Sequence, residues 1–377
     1  MRWLVVGGGS AGCVVAANLA AGFPDDQVLV VEAGAELGGA SLVNAGVVVG
    51  SSAGYRHRLP LEPADPIGAL GQAVLAADPR AATVRLARRG GVRVSAAEAY
   101  LGVPPGNVEV RLATAVARIE FDDRRAVGVH TADGTHLAAD RVVLCAGAVA
   151  TPTLLLRSGV TDVPGVGEGL QDHAGASLAV RLVPGAVVPG APQVAVTVEA
   201  PDHQVVVLEH TPDDPGLAGL LAGHLTPLGE GRVTLSDPDG PPLVTLDRSA
   251  SATDLVALRA AADDAFALAR HPAVRDIADD VFVDAHGTTL DTLTAGGSEA
   301  VDAWLRNAPS AYHHAAGTCR LGTVTDDIGR VWLYTRLAVC DASLFAGVPR
   351  RNPYLSVIDL AERLSSAWVQ GLRRERR

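Results

Sequence analysis

The sequence predicts an α/β fold with a smaller second domain built around an antiparallel sheet. Two observations carry that reading. The first thirty-odd residues hold a short apolar strand, a glycine loop, a helix and a second strand in immediate succession. Between about 175 and 250, short apolar runs, some alternating, are separated by prolines and glycines, the pattern of an antiparallel sheet.

Trp3 to Val6 is the first strand, and Gly7-Gly8-Gly9-Ser10-Ala11-Gly12 follows in G-x-G-x-x-G register. Cys13 to Ala21 is small-residue and helix-compatible, and Val28 to Val31 is a β-branched run ending at Glu32, twenty residues after Gly12. This is the dinucleotide fingerprint in its required context. Gly7 permits the tight turn, Gly9 lets backbone approach a pyrophosphate, and Gly12 lets helix and strand pack closely. The helix N-terminus offers free N–H groups to phosphate. The Glu32 carboxylate suits a ribose diol and disfavours a 2′-phosphate.

Gly38-Gly39-Ala40-Ser41 leads to Asn44, and a small-residue stretch continues to Gly54. Pro60, Pro63, Pro66 and Pro79 interrupt the mixed segment that follows. Val108–Leu112, Ala115–Phe121 and Ala126–His130, with a turn at Asp133-Gly134-Thr135, read as a meander of three or four strands. Arg141 to Cys145 is another apolar strand, and Thr151-Pro152 predicts a helix start. Helices are expected over 253–270, 300–307 and 354–371, and the Arg-rich end from Arg373 reads as a solvated tail.

With 377 residues the chain suits two domains. Apolar residues make up 48 % and charged residues 19 %, enough to build cores and too little charge for general disorder. The net charge is −11, and the chain contains no lysine. An acidic chain without a basic patch argues against nucleic acid and against anionic membrane surfaces. Cys13, Cys145, Cys319 and Cys340 are widely spaced, so free packed thiols and no metal are expected. The first strand begins at residue 3, and no apolar run reaches spanning length. A cytoplasmic protein without a membrane span follows as the expectation.

Further blocks then appear in order: Arg93 to Leu101, Gly165-Val166-Gly167-Glu168-Gly169-Leu170-Gln171-Asp172-His173, His313-His314-Ala315-Ala316-Gly317-Thr318, Asp341-Ala342-Ser343, and Asn352-Pro353. With the glycine loop and the Gly38–Asn44 block, they make the chain resemble the glucose–methanol–choline (GMC) family of FAD-dependent oxidoreductases over almost its whole length. The resemblance implies a Rossmann-like FAD-binding domain from residues 1–170 and 306–377. It also implies a smaller α+β substrate domain with an antiparallel sheet from 171–305. FAD is the implied cofactor. Gly7, Gly9, Ser10, Ala11, Gly12, Glu32 and Ala33 would hold the nucleotide, and Val116 would border the adenine. Gly39 and Asn44 would lie along the flavin, Ala146 and Gly147 beside the cofactor, Asp341 and Ala342 near the pyrophosphate, and Asn352 and Pro353 at the ring.

The resemblance makes His314 the catalytic candidate, because only His314 has the H-x-x-G-T spacing. It would serve as base while the carbinol hydride of an alcohol moves to flavin N5, a role suited to an imidazole whose ordinary pKa is near 6.5. His173 belongs to a family block and receives no chemical role; a turn between domains is its expected task. Two departures stand out. Tyr354 occupies the position where the family usually carries Asn or His. A phenol donates a hydrogen bond but is a poor base at neutral pH, so Tyr354 either orients substrate or packs. The second departure is length: only three residues separate Gly34 from Gly38, where the family inserts a long excursion. Short members of this kind, similar to a mycofactocin-associated subgroup, add a redox-peptide partner to the expected alcohol substrate and organic or oxygen acceptor. A cyanohydrin-type lyase and a redox-inactive flavoprotein or electron carrier are the alternative readings on the same scaffold.

Overall fold

A five-stranded parallel sheet organises the first core, in the order Leu337–Val339, Arg141–Leu144, Arg2–Val6, Gln27–Val31, Val108–Arg111. The computed structural model describes residues 1–48, 57–246, 251–307 and 310–376; most of the small-residue stretch to Gly54 lies outside them. The central strands are covered on both faces, which is why Leu4, Val5, Val28 and Val30 form unbroken apolar runs rather than alternating ones. Val108–Arg111 corrects the expected meander. It alternates, but it pairs in parallel with Gln27–Val31, and the meander consists of Val116–Asp122, Arg125–Thr131 and His136–Ala138. An edge strand is half-exposed whether its sheet is parallel or antiparallel, so alternation does not separate the two cases.

The helix Ser10–Gly22 is buried along nearly its whole length, with Cys13, Val14, Val15, Ala16 and Leu19 inside. It lies between the sheet and the C-terminal helix Tyr354–Glu375. Asn18 Nδ2 donates to Glu362 Oε2 (2.6 Å) and reaches Ser365 Oγ (3.0 Å) across that contact. The Arg-rich end is exposed, as expected, but it continues the helix to Glu375 and is anchored rather than a free tail. Arg373 donates to the Gly22 carbonyl (2.7 Å), and Arg376 donates to the buried carboxylate of Asp26 (2.7 Å) while its guanidinium covers Phe23. Asp26 also takes the chain's N-terminal ammonium (2.9 Å) and Trp3 Nε1 (3.1 Å), so one carboxylate ties both ends of the chain together.

The second core sits under a seven-stranded sheet. Its main path runs Ala278–Phe282, Ala174–Leu182, Leu217–His224, His203–Leu208, Val194–Glu199, Ala81–Thr83. The helix Ala252–Arg270, capped by Ser251 accepting from the Asp254 N–H (2.9 Å), packs Leu258, Ala262, Ala265 and Phe266 into this core. Along His203–Leu208, Val205 and Val207 are fully buried in the core, whereas Gln204, Val206 and Leu208 line a cavity on the opposite face, the two-residue alternation of a pleated strand. Ala81–Thr83, together with Leu70, Val74, Val84 and Leu86, packs with this second core although the segment lies within 1–170. Short strands joined through distant pairing leave no local pattern that would reveal this.

Candidate active site

The glycine loop takes three different roles from its three glycines. Gly7 has φ near +101°, and a Cβ there would lie 2.5 Å from the Cys145 carbonyl oxygen. A Cβ on Gly12 would lie 1.9 Å from the Gly7 carbonyl oxygen. Gly9 has no atom within 4 Å of a Cβ position. Two glycines are therefore demanded by packing, and the middle one leaves open space at the start of a helix. Ser10 and Ala11 face the same space, whereas Gly12 sits beneath it.

Glu32 accepts from the backbone N–H of Gly8 (2.7 Å) and of Gly34 (2.8 Å), one on each carboxylate oxygen. This fixes the carboxylate at the rim and leaves each oxygen a second lone pair for a ligand hydroxyl. The Gly38–Gly39 block folds back onto the loop: Gly38 N–H donates to the Gly8 carbonyl (2.8 Å), and a Cβ on Gly39 would stand 3.0 Å from Gly9 Cα. The short connection after Gly34 thus brings the second block directly against the first. Arg93 closes the arrangement by donating to the carbonyls of Ser41 (3.2 Å) and Asn44.

A second helix N-terminus enters from the neighbouring strand. The helix Gly147–Arg157 starts four residues before the expected Thr151, and Pro152 lies inside it. Proline cannot donate to the carbonyl four residues back. That carbonyl, on Ala148, instead accepts from the buried hydroxyl of Thr318 (2.7 Å). Thr318 belongs to the histidine block, so the motif repairs the gap left by Pro152 in a helix far away in sequence. Asp341 is likewise committed to scaffolding. Its buried carboxylate accepts from Gly147 N–H (2.9 Å), Thr151 Oγ1 (2.6 Å) and Ser343 N–H (2.8 Å). These three bonds hold the 341–342 backbone at the wall of the cavity.

At the other end His314 is held by the segment 171–173. Its backbone N–H donates to Asp172 Oδ1 (2.8 Å), and its Nδ1 lies 2.9 Å from Nδ1 of His173. Burial, with His173 and His313 beside it, pushes His314 down to about 3. Burial pushes His173 down to about 4. Both imidazoles are therefore neutral at ordinary pH. Tyr354 is half-buried at the start of the C-terminal helix, where its backbone N–H donates to Asn352 Oδ1 (3.2 Å). Its hydroxyl is buried without a hydrogen-bond partner among the described residues. The neighbouring Ser41 hydroxyl already donates to the Gly38 carbonyl (2.7 Å). Burial pushes the Tyr354 phenol up to about 12.

One cavity of about 770 Å³ joins these parts. Of the residues singled out from sequence, Gly7, Gly9, Ser10, Ala11, Glu32, Ala33, Gly39, Asn44, Val116, Ala146, Gly147, Asp341, Ala342, Asn352, Pro353, His314 and Tyr354 all line it; Gly12 does not. Sequence reading missed Arg157 and Thr153 beside Val116, and Gln193, Val194, Thr197, Gln204, Val206, Leu208, Leu221 and Tyr312 around His314. The latter group comes from alternate positions of several strands, and no contiguous motif marks it. Among the described residues no group of three or more His, Cys, Asp or Glu side chains is placed to hold a metal ion. No described helix is long and apolar enough to cross a membrane.

Family models described as GMC oxidoreductase match residues 77–175 and 227–361, and one described as FAD dependent oxidoreductase matches 2–106. An uncharacterized GMC-type oxidoreductase of Rhodococcus erythropolis is 28 % identical over 308 residues, covering 73 % of this chain and 59 % of the relative. An oxygen-dependent choline dehydrogenase of Chromohalobacter salexigens is 27 % identical over 342 residues, covering 73 % and 60 %. The chain thus spans about six-tenths of the length of these curated relatives. Among solved structures, pyridoxine 4-oxidase from Mesorbium loti superposes with a TM-score of 0.81 at 20 % identity, covering 98 % of this chain and 99 % of that one. A formate oxidase from Aspergillus oryzae RIB40 gives 0.85 at 17 %, covering 99 % and 98 %. These likenesses show the shared fold.

Proposed function

The chain belongs to the GMC oxidoreductase family, whose members are FAD-dependent, and from that premise we propose that it oxidises the CH–OH group of an uncharged alcohol to a carbonyl. The continuity of the cavity carries the proposal. At one end stand two helix N-termini, the open Gly9 position and the Glu32 carboxylate, a donor set that suits pyrophosphate and ribose. At the other end stands a neutral buried histidine. The N-terminus of the helix Tyr354–Glu375 enters between them through Asn352, Pro353 and Tyr354, and the positive end of its dipole favours negative charge there.

FAD, when bound, supplies the acceptor for the hydride lost by the alcohol carbon. The chain's own residues do the rest. Glu32, Gly9 and the two helix starts hold the nucleotide. His314 takes the hydroxyl proton, and Tyr354, on the same cavity, turns its hydroxyl to the substrate oxygen. Oxygen or an organic acceptor, a redox peptide among them, then takes the electrons.

The substrate class follows from the lining. Among the described lining residues, Glu32, Arg157 and Asp341 carry formal charge, and all three belong to the nucleotide end. Around His314 the walls are Val194, Val206, Leu208 and Leu221 with neutral Thr197, Gln204 and Tyr312. Burying an unpaired cation or carboxylate against such a wall is strongly unfavourable. Neutral, partly apolar alcohols are the expected substrates, and choline, with its fixed positive charge, is not.

The test is oxidation of a panel of neutral aryl and alkyl alcohols, choline and hydroxy acids by the flavin-loaded enzyme and its His314→Gln variant. Turnover of neutral alcohols only, reduced about 10²–10⁴-fold in the variant, supports the reading. Efficient choline turnover would contradict the substrate class. Full activity of the variant would remove His314 from the chemistry. The Tyr354 departure keeps a cyanohydrin lyase as the second reading, and cleavage of a cyanohydrin without flavin reduction would favour it.

A further inference from the structure

His314 and His173 meet edge to edge, with ring centroids 5.1 Å apart, an interplanar angle of 86° and the two Nδ1 atoms 2.9 Å apart. Two ring nitrogens facing at that distance hold one proton between them, so one donates and the other accepts. The surroundings decide which. His173 is fully buried, and the backbone groups acting on its ring are the carbonyls of Pro349 and Leu225, which are acceptors. With Nδ1 turned to His314, the nitrogen left to face such acceptors is Nε2, which has no hydrogen-bond partner among the described residues. A neutral imidazole protonated on Nε2 has a bare Nδ1. In that tautomer of His173 the shared proton belongs to His314 Nδ1.

We propose that His173 is a positioning residue that fixes the tautomer of His314: its Nδ1 accepts the His314 Nδ1–H and leaves Nε2 of His314 as the free basic nitrogen. This rests on the reading of His314 as the base. The step it prepares is a proton transfer alone. The O–H bond of the alcohol breaks, an N–H bond forms at His314 Nε2, and the electron pair stays on the substrate oxygen. The resulting imidazolium keeps its Nδ1–H on His173, and a hydrogen bond from a charged donor is about twice as strong as a neutral one.

The attachment is built for orientation. Three consecutive residues grip the histidine block. Gln171 exchanges backbone hydrogen bonds with Ala316 (3.0 and 2.9 Å), Asp172 takes the His314 N–H, and His173 takes the ring. Tyr312 backs the His173 ring edge-on at 5.7 Å, and its hydroxyl is spent on the Leu221 carbonyl (3.1 Å). The other titratable groups facing the pair are Asp172, His313 and His224, the last paired with Asp254.

The experiment is ¹⁵N NMR of histidine-labelled, FAD-loaded protein, with assignments from single variants, followed by kinetics of His173→Asn and His173→Leu. Asparagine can place an acceptor oxygen where Nδ1 stood; leucine cannot. The expected result is a pyrrole-type Nδ1 and a pyridine-type Nε2 on His314. In His173→Leu that preference is lost, and kcat falls about 10–100-fold with KM little changed, the scale seen when the partner that orients a metal-ligating imidazole is removed. His173→Asn restores most of the rate. A protonated Nε2 on His314 in the wild type would overturn the proposal, and so would a folded, flavin-loaded His173→Leu with unchanged tautomer and kcat. If His173→Leu does not fold, the wild-type spectrum and the asparagine variant decide. Full activity of His314→Gln would defeat the base reading instead, and the tautomer measurement would still stand.

Discussion

Gly9→Ala and Gly12→Ala should separate ligand binding from folding, although the residues stand one helical turn apart. A methyl group on Gly9 meets no atom within 4 Å, and the backbone there has φ −73° and ψ −166°, which alanine adopts freely. Gly9 is a helix N-cap, where glycine is modestly preferred over alanine, but alanine stiffens the unfolded chain. The two effects roughly offset, so stability without cofactor should move by less than about 1 kcal/mol. The methyl does fill the space through which a pyrophosphate reaches the N–H groups of Ser10 and Ala11. Losing about 3 kcal/mol of charge-assisted hydrogen bonding weakens FAD about 100-fold. On Gly12 the methyl would lie 1.9 Å from the Gly7 carbonyl oxygen, backbone against backbone, where neither side yields without shifting strand or helix. Overpacking costs about 1–3 kcal/mol or more, so this variant should lose stability first and cofactor as a consequence. Urea denaturation of the flavin-free forms and fluorescence titration with FAD measure both quantities. Wild-type FAD affinity in Gly9→Ala, or wild-type stability in Gly12→Ala, would refute the assignment of roles in the loop.

Thr318→Val should cost about 1–3 kcal/mol in urea denaturation, because the Ala148 carbonyl freed by Pro152 loses its partner in a buried position, and Thr318→Ser should recover most of it. Tyr354→Phe should leave stability unchanged or slightly raised, since the hydroxyl has no hydrogen-bond partner among the described residues, while kcat falls about tenfold for the loss of one hydrogen bond to substrate; an unchanged kcat would make Tyr354 a packing residue. Acid should destabilise the protein through His314. Its folded value lies near 3 because of burial, and an unfolded histidine titrates near 6.5. Between those limits the unfolded chain binds a proton that the folded one refuses, so stability falls as pH drops from about 6.5, at up to about 1.4 kcal/mol per pH unit. His173, held near 4 by burial, adds a slope of the same sign, so His314→Gln should remove only the share owed to His314 and leave that of His173, as chemical denaturation at pH 7.0, 6.0 and 5.0 would show.

The expected nucleotide residues other than Gly12 lie together on one cavity because their constraints are local. Gly7, Gly9 and Gly12 act within one turn, and Glu32 ends the strand beside them. The choice of His314, which does line the cavity, was possible because Gly317 and Thr318 mark its position. The reasons behind other residues were not legible. Nothing near Pro152 indicates that Thr318 will satisfy the carbonyl it frees, and nothing near Arg376 indicates that Asp26 awaits it across the fold. Val108–Arg111 shows the limit of periodicity, since a half-exposed edge strand alternates in either kind of sheet. The cavity wall from Gln204, Val206 and Leu208 depends on which face of a strand meets the cavity, and that is settled by pairing with residues far away in sequence. His173 was recognisable as part of a block, but its contact with His314 arises where Gln171 and Ala316 pair, a long-range event with no signature in either segment.

The central claim is that a flavin sits in this cavity and accepts hydride from an alcohol beside His314. Anaerobic titration of the FAD-loaded protein with neutral alcohols, followed by the visible spectrum, tests it most directly. The account predicts loss of the oxidised flavin absorbance with one alcohol class, and little or no bleaching in His314→Gln. A protein that takes up no FAD, or a bound flavin that no alcohol in the panel bleaches, would contradict it.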